Sequence, residues 1–152
     1  MTDSRINLRA TLECGQVFHW QERSGGTWDG LIGDRLCVVR EENKRLRVLE
    51  CDAGDAEDYF AIDHDLDAIY AGFSSDERMQ AALDFCRGLR IIRQPAWECL
   101  ATFITSSMKQ VAHIRQMSRA LRERFGPAKP GGNGSLPRRA AGPRQAAPPS
   151  AA

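Results

Sequence analysis

Two spacings of apolar residues divide the chain. Between residues 17 and 50, short segments rich in aromatic and β-branched residues recur: VFHWQE, TWDGLI, RLCVVR and RLRVLE. In the last of them Leu46, Val48 and Glu50 fall on one face and Arg45, Arg47 and Leu49 on the other, the period-two pattern of a strand. Turn-forming residues separate the segments: Ser24-Gly25-Gly26, Gly33-Asp34 and Glu42-Asn43-Lys44. This pattern predicts a four-stranded antiparallel meander with one covered face.

From Asp55 the spacing becomes helical. Asp55 is placed to cap a short helix carrying Tyr59, Phe60 and Ile62, and Leu66, Ile69, Tyr70 and Phe73 mark a second. Ser74, with Glu77 three residues later, has the form of a capping box opening DERMQAALDFCRG, where Met79, Leu83 and Cys86 share a face. Pro95 starts PAWECLATFITSS, and Val111, Ile114, Leu121 and Phe125 stripe a last helix. These stripes are expected to face a core. Sheet first and helices after predict an α+β fold.

Beyond Pro127 the pattern stops. The segment AKPGGNGSLPRRAAGPRQAAPPSAA holds one large aliphatic residue, Leu136, among Pro, Gly, Ala and Arg. Such a composition buries too little apolar surface to offset its ordering entropy, so residues 127–152 are expected to be disordered. The chain has 152 residues, which suits about one domain, and shows no internal repeat.

Net charge changes the picture only when it is read locally. The total is +1, from 21 Lys+Arg and 20 Asp+Glu, which excludes a wholesale basic DNA-coating protein. Yet Glu41 to Asp84 holds 13 acidic and 4 basic residues, whereas Trp97 to Phe125 holds 5 basic and 2 acidic. An anionic partner is therefore expected at the C-terminal helices. No apolar run reaches the ~20 residues of a membrane span, and MTDSRINLRA has no secretory pattern. Five cysteines, Cys14, Cys37, Cys51, Cys86 and Cys99, with no C-x-x-C pair, read as free thiols in a reducing compartment. The cytoplasm is the expected location.

Few side chains combine into chemistry. His19, between Phe18 and Trp20, reads as a surface or edge residue, and His64 lies in an acidic loop with Asp63 and Asp65. Neither gathers the convergent ligands a metal needs, so no metal or cofactor is expected. Ser106-Ser107 lacks a nucleophile elbow, and phosphate-loop glycine patterns are absent. The segment from Thr105 to Val111 is more informative, because it joins two amphipathic helices with polar residues ahead of a basic helix. Such a turn can present backbone N–H groups and long side chains to a nucleic acid. On its own, the segment reads first as an ordinary helix–helix turn.

The ordered motifs nevertheless carry a resemblance. Gly15-Gln16-Val17-Phe18-His19-Trp20, Trp28-x-Gly30, Tyr59-Phe60 and Ile69-Tyr70 are followed by Arg93-Gln94, Glu98-Cys99-Leu100, Phe103-Ile104 and Ser106-Ser107. From about Ile6 to Pro127 this set resembles the N-terminal part of the 8-oxoguanine DNA glycosylases. The resemblance implies a sheet domain with flanking helices over 1–94, the start of a helical core over 95–126, and a tail over 127–152. It further implies a monomer acting on double-stranded DNA that contains oxidised guanine, in base excision repair, with AP lyase activity in the family. The target base is extruded from the stack, at a cost of a few kcal/mol.

Site residues follow from the same resemblance. The backbone carbonyl of the glycine matching Gly15 reads the proton that oxidised guanine gains at N7. Normal guanine N7 is an acceptor and would meet that carbonyl acceptor to acceptor. Where the family has asparagines and an arginine against the orphaned cytosine, this chain has Met108, Lys109, Gln110 and His113. Met108 suits an apolar wedge and Lys109 a phosphate contact. The family's hairpin, attacking lysine and assisting aspartate lie beyond the position matching Pro127, so no catalytic residue is assigned. Amine attack needs a desolvated lysine near a carboxylate, which Lys129 in the tail is not expected to have. The tail is expected to be an out-of-frame or artificial ending of a longer gene, leaving a catalytically inactive chain. A non-catalytic DNA- or partner-binding module and an inactive pseudogene product remain the alternatives.

Overall fold

The computed structural model describes residues 5–107 and 110–125. The expected disorder of 127–152 and the roles of Met108 and Lys109 lie outside the described residues.

The chain folds as the α+β arrangement its pattern predicts. A short helix α1 (Leu8–Glu13) precedes a sheet of β1 (Gln21–Glu22), β2 (Thr27–Ile32), β3 (Arg35–Glu42) and β4 (Arg45–Glu50). Helices α2 (Ala53–Tyr59), α3 (Leu66–Ala71), α4 (Glu77–Phe85), α5 (Ala96–Ser106) and α6 (Val111–Phe125) follow. The sheet is an antiparallel meander in the order β1-β2-β3-β4. Asn43 and Lys44, both at positive φ, form the two-residue β3–β4 turn. Positive φ at both central residues is the condition for the hairpin turn that matches strand twist.

The core lies between one sheet face and the helices around it. Trp28, Cys37 and Val39 from the strands meet Leu8 and Leu12 of α1, Ala56 and Tyr59 of α2, and Ile92. Trp20 joins them, its indole N–H donating to the Tyr59 hydroxyl at 3.1 Å. A Cβ on Gly30 would overlap the Trp20 ring, so only glycine lets the indole lie on the strand.

Several expectations are corrected. The segment VFHWQE contributes only Gln21 and Glu22 to the sheet, because Val17, His19 and Trp20 bury their side chains instead of pairing. Asp52 rather than Asp55 caps α2, accepting the Asp55 N–H at 3.1 Å. Asp76 rather than Ser74 caps α4, while the Ser74 hydroxyl donates to the Asp76 carboxylate at 2.7 Å. Helix α1, absent from the sequence reading, is one and a half turns long and capped by Asn7.

The cysteines are corrected as well. Cys37 and Cys51 are joined as a disulfide with Cα atoms 4.9 Å apart, while Cys14, Cys86 and Cys99 are free. A register shift between Val38 and Val39 sets Val38 opposite Glu50, and one step further along the ladder Cys37 meets Cys51. Without that bulge the two residues would be staggered.

The stripes of the last two helices are only partly covered. Ile114 is buried, but Leu100, Phe103, Ile104, Val111, Leu121 and Phe125 face outward.

Candidate functional site

Helix α1 ends at Cys14, and the chain turns at Gly15 with φ +96°. That backbone region favours glycine, since a side chain there is strained. Gly15 is exposed, and nothing lies within 4 Å of where a Cβ would stand. Its backbone is thus open to a ligand on the side a side chain would occupy.

The next residue is held firmly. The Gln16 carboxamide donates from Nε2 to the Arg90 carbonyl at 2.9 Å and accepts the Ile92 N–H on Oε1 at 2.9 Å. Its own carbonyl accepts from the Gln94 side-chain amide at 2.8 Å. One glutamine side chain therefore imitates a strand partner for residues 90–92, and Gln94 completes the clasp.

Segment 90–94 is itself anchored. Arg90 is buried, with its guanidinium donating to the carbonyls of Arg5 (2.8 Å), Ala61 (2.5 Å) and His64 (3.2 Å), and its N–H to the Thr11 hydroxyl (3.1 Å). Carbonyl acceptors make a buried cation tolerable where a bare one would be costly. Arg93, on the outside, pairs with Asp58 at 2.8 Å and Asp63 at 2.7 Å. Its hydrogen bond holds the Asp63 carboxyl below the usual range.

A second polar group lies deeper. His19, read from sequence as surface or edge, is buried, and its Nε2–H donates to the Leu31 carbonyl at 2.9 Å. Desolvation, and then the positive charge of Arg122, press its pKa down to about 3. The ring is therefore neutral. Arg122 of α6 lies 3.6 Å from Glu98 of α5, both nearly inaccessible to solvent. Burial lowers the Arg122 pKa against the pull of Glu98, and burial raises that of the Tyr59 hydroxyl. This group ties α5 and α6 to the aromatic core at Trp20 and Tyr59.

Two of the predicted nucleic-acid contacts, Gln110 and His113, fall among the described residues. Gln110 is exposed and its carbonyl accepts the Ile114 N–H at 3.1 Å, while His113 is exposed in the first turn of α6. The structure brings Gln16, next to Gly15, to segment 90–94, and no hydrogen bond among the described residues joins Gly15 to Gln110 or His113. Gln16 and Gln94 were visible as motif letters, but their pairing across 78 positions was not. Among the described residues no three His, Cys, Asp or Glu converge to hold a metal, and no helix there is long and apolar enough to cross a membrane.

Comparison with known proteins shows what the chain is similar to. Residues 1–100 match the family described as 8-oxoguanine DNA glycosylase, N-terminal domain. The N-glycosylase/DNA lyase OGG1 of Arabidopsis thaliana is 28% identical over 127 residues, covering 77% of this chain and 35% of that protein. The solved structure of MBOgg1 with a low-affinity DNA ligand superposes with a TM-score of 0.76 at 32% identity, over 84% of this chain and 46% of that one. The 8-oxoguanine glycosylase/lyase of Clostridium acetobutylicum, bound to DNA with cytosine opposite 8-oxoG, shares the fold. Its TM-score is 0.78 at 22% identity, over 88% of this chain and 47% of that one. The chain thus spans from about a third to just under half of these relatives.

Proposed function

Because the chain belongs to the 8-oxoguanine DNA glycosylase family through its N-terminal domain, we propose that it recognises oxidised guanine in double-stranded DNA. The observation that carries this reading is the exposed, left-handed Gly15 at the end of α1, held against segment 90–94 by Gln16. A backbone carbonyl presented there accepts the N7 proton of an extruded oxidised purine and repels the N7 lone pair of guanine. The duplex meets the turn after α5 and the basic helix α6, with Gln110 and His113 toward the base opposite the lesion and Met108 and Lys109 as wedge and phosphate contact. The protein acts as a monomer.

Base excision by an amine is not expected of the described residues. The lysine among the described residues, Lys44, is exposed in the β3–β4 turn, and amine attack needs a desolvated lysine. The test is fluorescence anisotropy on duplexes with 8-oxoguanine or guanine opposite cytosine, alongside borohydride trapping. Tighter binding to the oxidised duplex and no covalent adduct are expected. Equal binding to the two duplexes removes the reading of the lesion, and a trapped adduct removes the non-catalytic assignment.

A further inference from the structure

We propose that Gln16 and Gln94 are positioning residues which set the orientation of the Gly15 peptide, and that lesion selectivity depends on them. The inference rests on the reading of Gly15 given above and assigns it a mechanism.

The Gly15 carbonyl belongs to the peptide unit whose other end is the Gln16 N–H. On the Gly15 side no side chain packs to hold the unit, because glycine has none and nothing lies within 4 Å of where a Cβ would stand. A glycine at φ +96° would by itself sample a wide range of orientations. Beyond the cap at Cys14, whose N–H donates to the Ala10 carbonyl at 3.2 Å, the restraint comes from the Gln16 side. There the side chain is fixed at two points, by the Arg90 carbonyl and the Ile92 N–H, each at 2.9 Å. The main chain is fixed at a third, where the Gln16 carbonyl accepts from Gln94 at 2.8 Å. Gln16 Nε2 also lies 3.1 Å from Cys14 Sγ, on the near side of the turn.

Only a carboxamide satisfies both side-chain partners. A glutamate would accept from Ile92 but face the Arg90 carbonyl acceptor to acceptor. At position 94 the requirement is looser, since any long donor reaches the Gln16 carbonyl. Behind this clasp, Arg90 is bound to three carbonyls, so the clasp closes on a rigid support. The arrangement meets a general condition for selectivity: discriminating donor from acceptor at one atom requires a carbonyl held in place before the ligand arrives.

The experiment measures the ratio of affinities for 8-oxoguanine and guanine duplexes in the full chain. Gln16→Ala and Gln94→Glu are expected to lower that ratio at least fivefold. Affinity for the guanine duplex should change less than twofold, and unfolding should remain cooperative. Gln94→Lys, which keeps a donor, is expected to retain the ratio. A merely structural role would move overall affinity and stability, not the ratio, and would not separate Gln94→Lys from Gln94→Glu. Should Gln16→Ala fail to fold, the two Gln94 variants decide the matter. Selectivity intact in both Gln94 variants overturns the positioning role while leaving the lesion reading in place. Absence of selectivity in the unsubstituted protein overturns the lesion reading, and the positioning role with it.

Discussion

Glu98 of α5 and Arg122 of α6 face each other inside the protein, carboxylate to guanidinium at 3.6 Å, each about 5% exposed. Two charges so deeply buried hold each other in place, and each becomes a liability when its partner is removed. Glu98→Leu or Arg122→Met alone is expected to destabilise the fold by about 3–5 kcal/mol. The double variant should recover most of that loss, because an apolar pair of similar volume carries no desolvation penalty. Urea denaturation of the four proteins measures the coupling directly, and strictly additive losses would show that the pair does not act as a unit.

Buried His19 gives the fold a defined acid sensitivity. In the folded protein its pKa is about 3, against an ordinary value of 6.5. Above pH 6.5 the ring is neutral folded or unfolded, and its burial carries no proton penalty. As the pH falls from 6.5 toward 3, the unfolded chain takes a proton that the folded chain refuses, and unfolding is favoured. The slope approaches about 1.4 kcal/mol per pH unit, so about 2 kcal/mol is lost between pH 7 and pH 5. His19→Gln, which keeps a donor for the Leu31 carbonyl, should flatten that part of the stability profile. Urea midpoints at the two pH values check it, and an equal drop in the variant would assign the sensitivity to other groups.

His19 is buried although its sequence context is that of a strand edge. Alternation along VFHWQE has the form of a strand and reads His19, next to Trp20, as a surface or edge residue. The chain instead dives beneath β2 before pairing, so both residues are buried. Strand pairing elsewhere was legible because turn residues punctuate it, as at Gly33-Asp34 and Asn43-Lys44. The Gly15 motif was legible as well, as a string of residue types. Its clasp was not, since Gln16 and Gln94 meet through tertiary structure and have no periodic signal. Cap identities missed for a local reason: Asp52, Asp55, Ser74 and Asp76 are all competent caps, and only backbone conformation selects among them.

The bulge at Val38/Val39 carries a prediction of its own. It aligns Cys37 with Cys51, which close a loop spanning 14 positions. A cross-link over that separation is expected to stabilise the fold by about 3 kcal/mol relative to the reduced chain. Thiol titration of the unreduced, unfolded protein should count three reactive cysteines, Cys14, Cys86 and Cys99, and five after reduction. Five thiols before reduction would contradict the pairing.

Helix α5 is built with its apolar side outward. Glu98 is buried and Ala101, Thr102 and Thr105 are partly buried, while Phe103 is 70% exposed and Ile104 61%. On α6, Val111, Leu121 and Phe125 are also exposed. Apolar surface left in water contributes nothing to the fold of this chain and favours association as concentration rises. Phe103→Gln with Ile104→Gln replaces both side chains by good helix formers. The change is expected to leave stability within about 0.5 kcal/mol while suppressing concentration-dependent light scattering. The same pair of measurements carries the contrary result: a loss of about 2 kcal/mol or more would mean that the two side chains are packed, as buried residues of that size are.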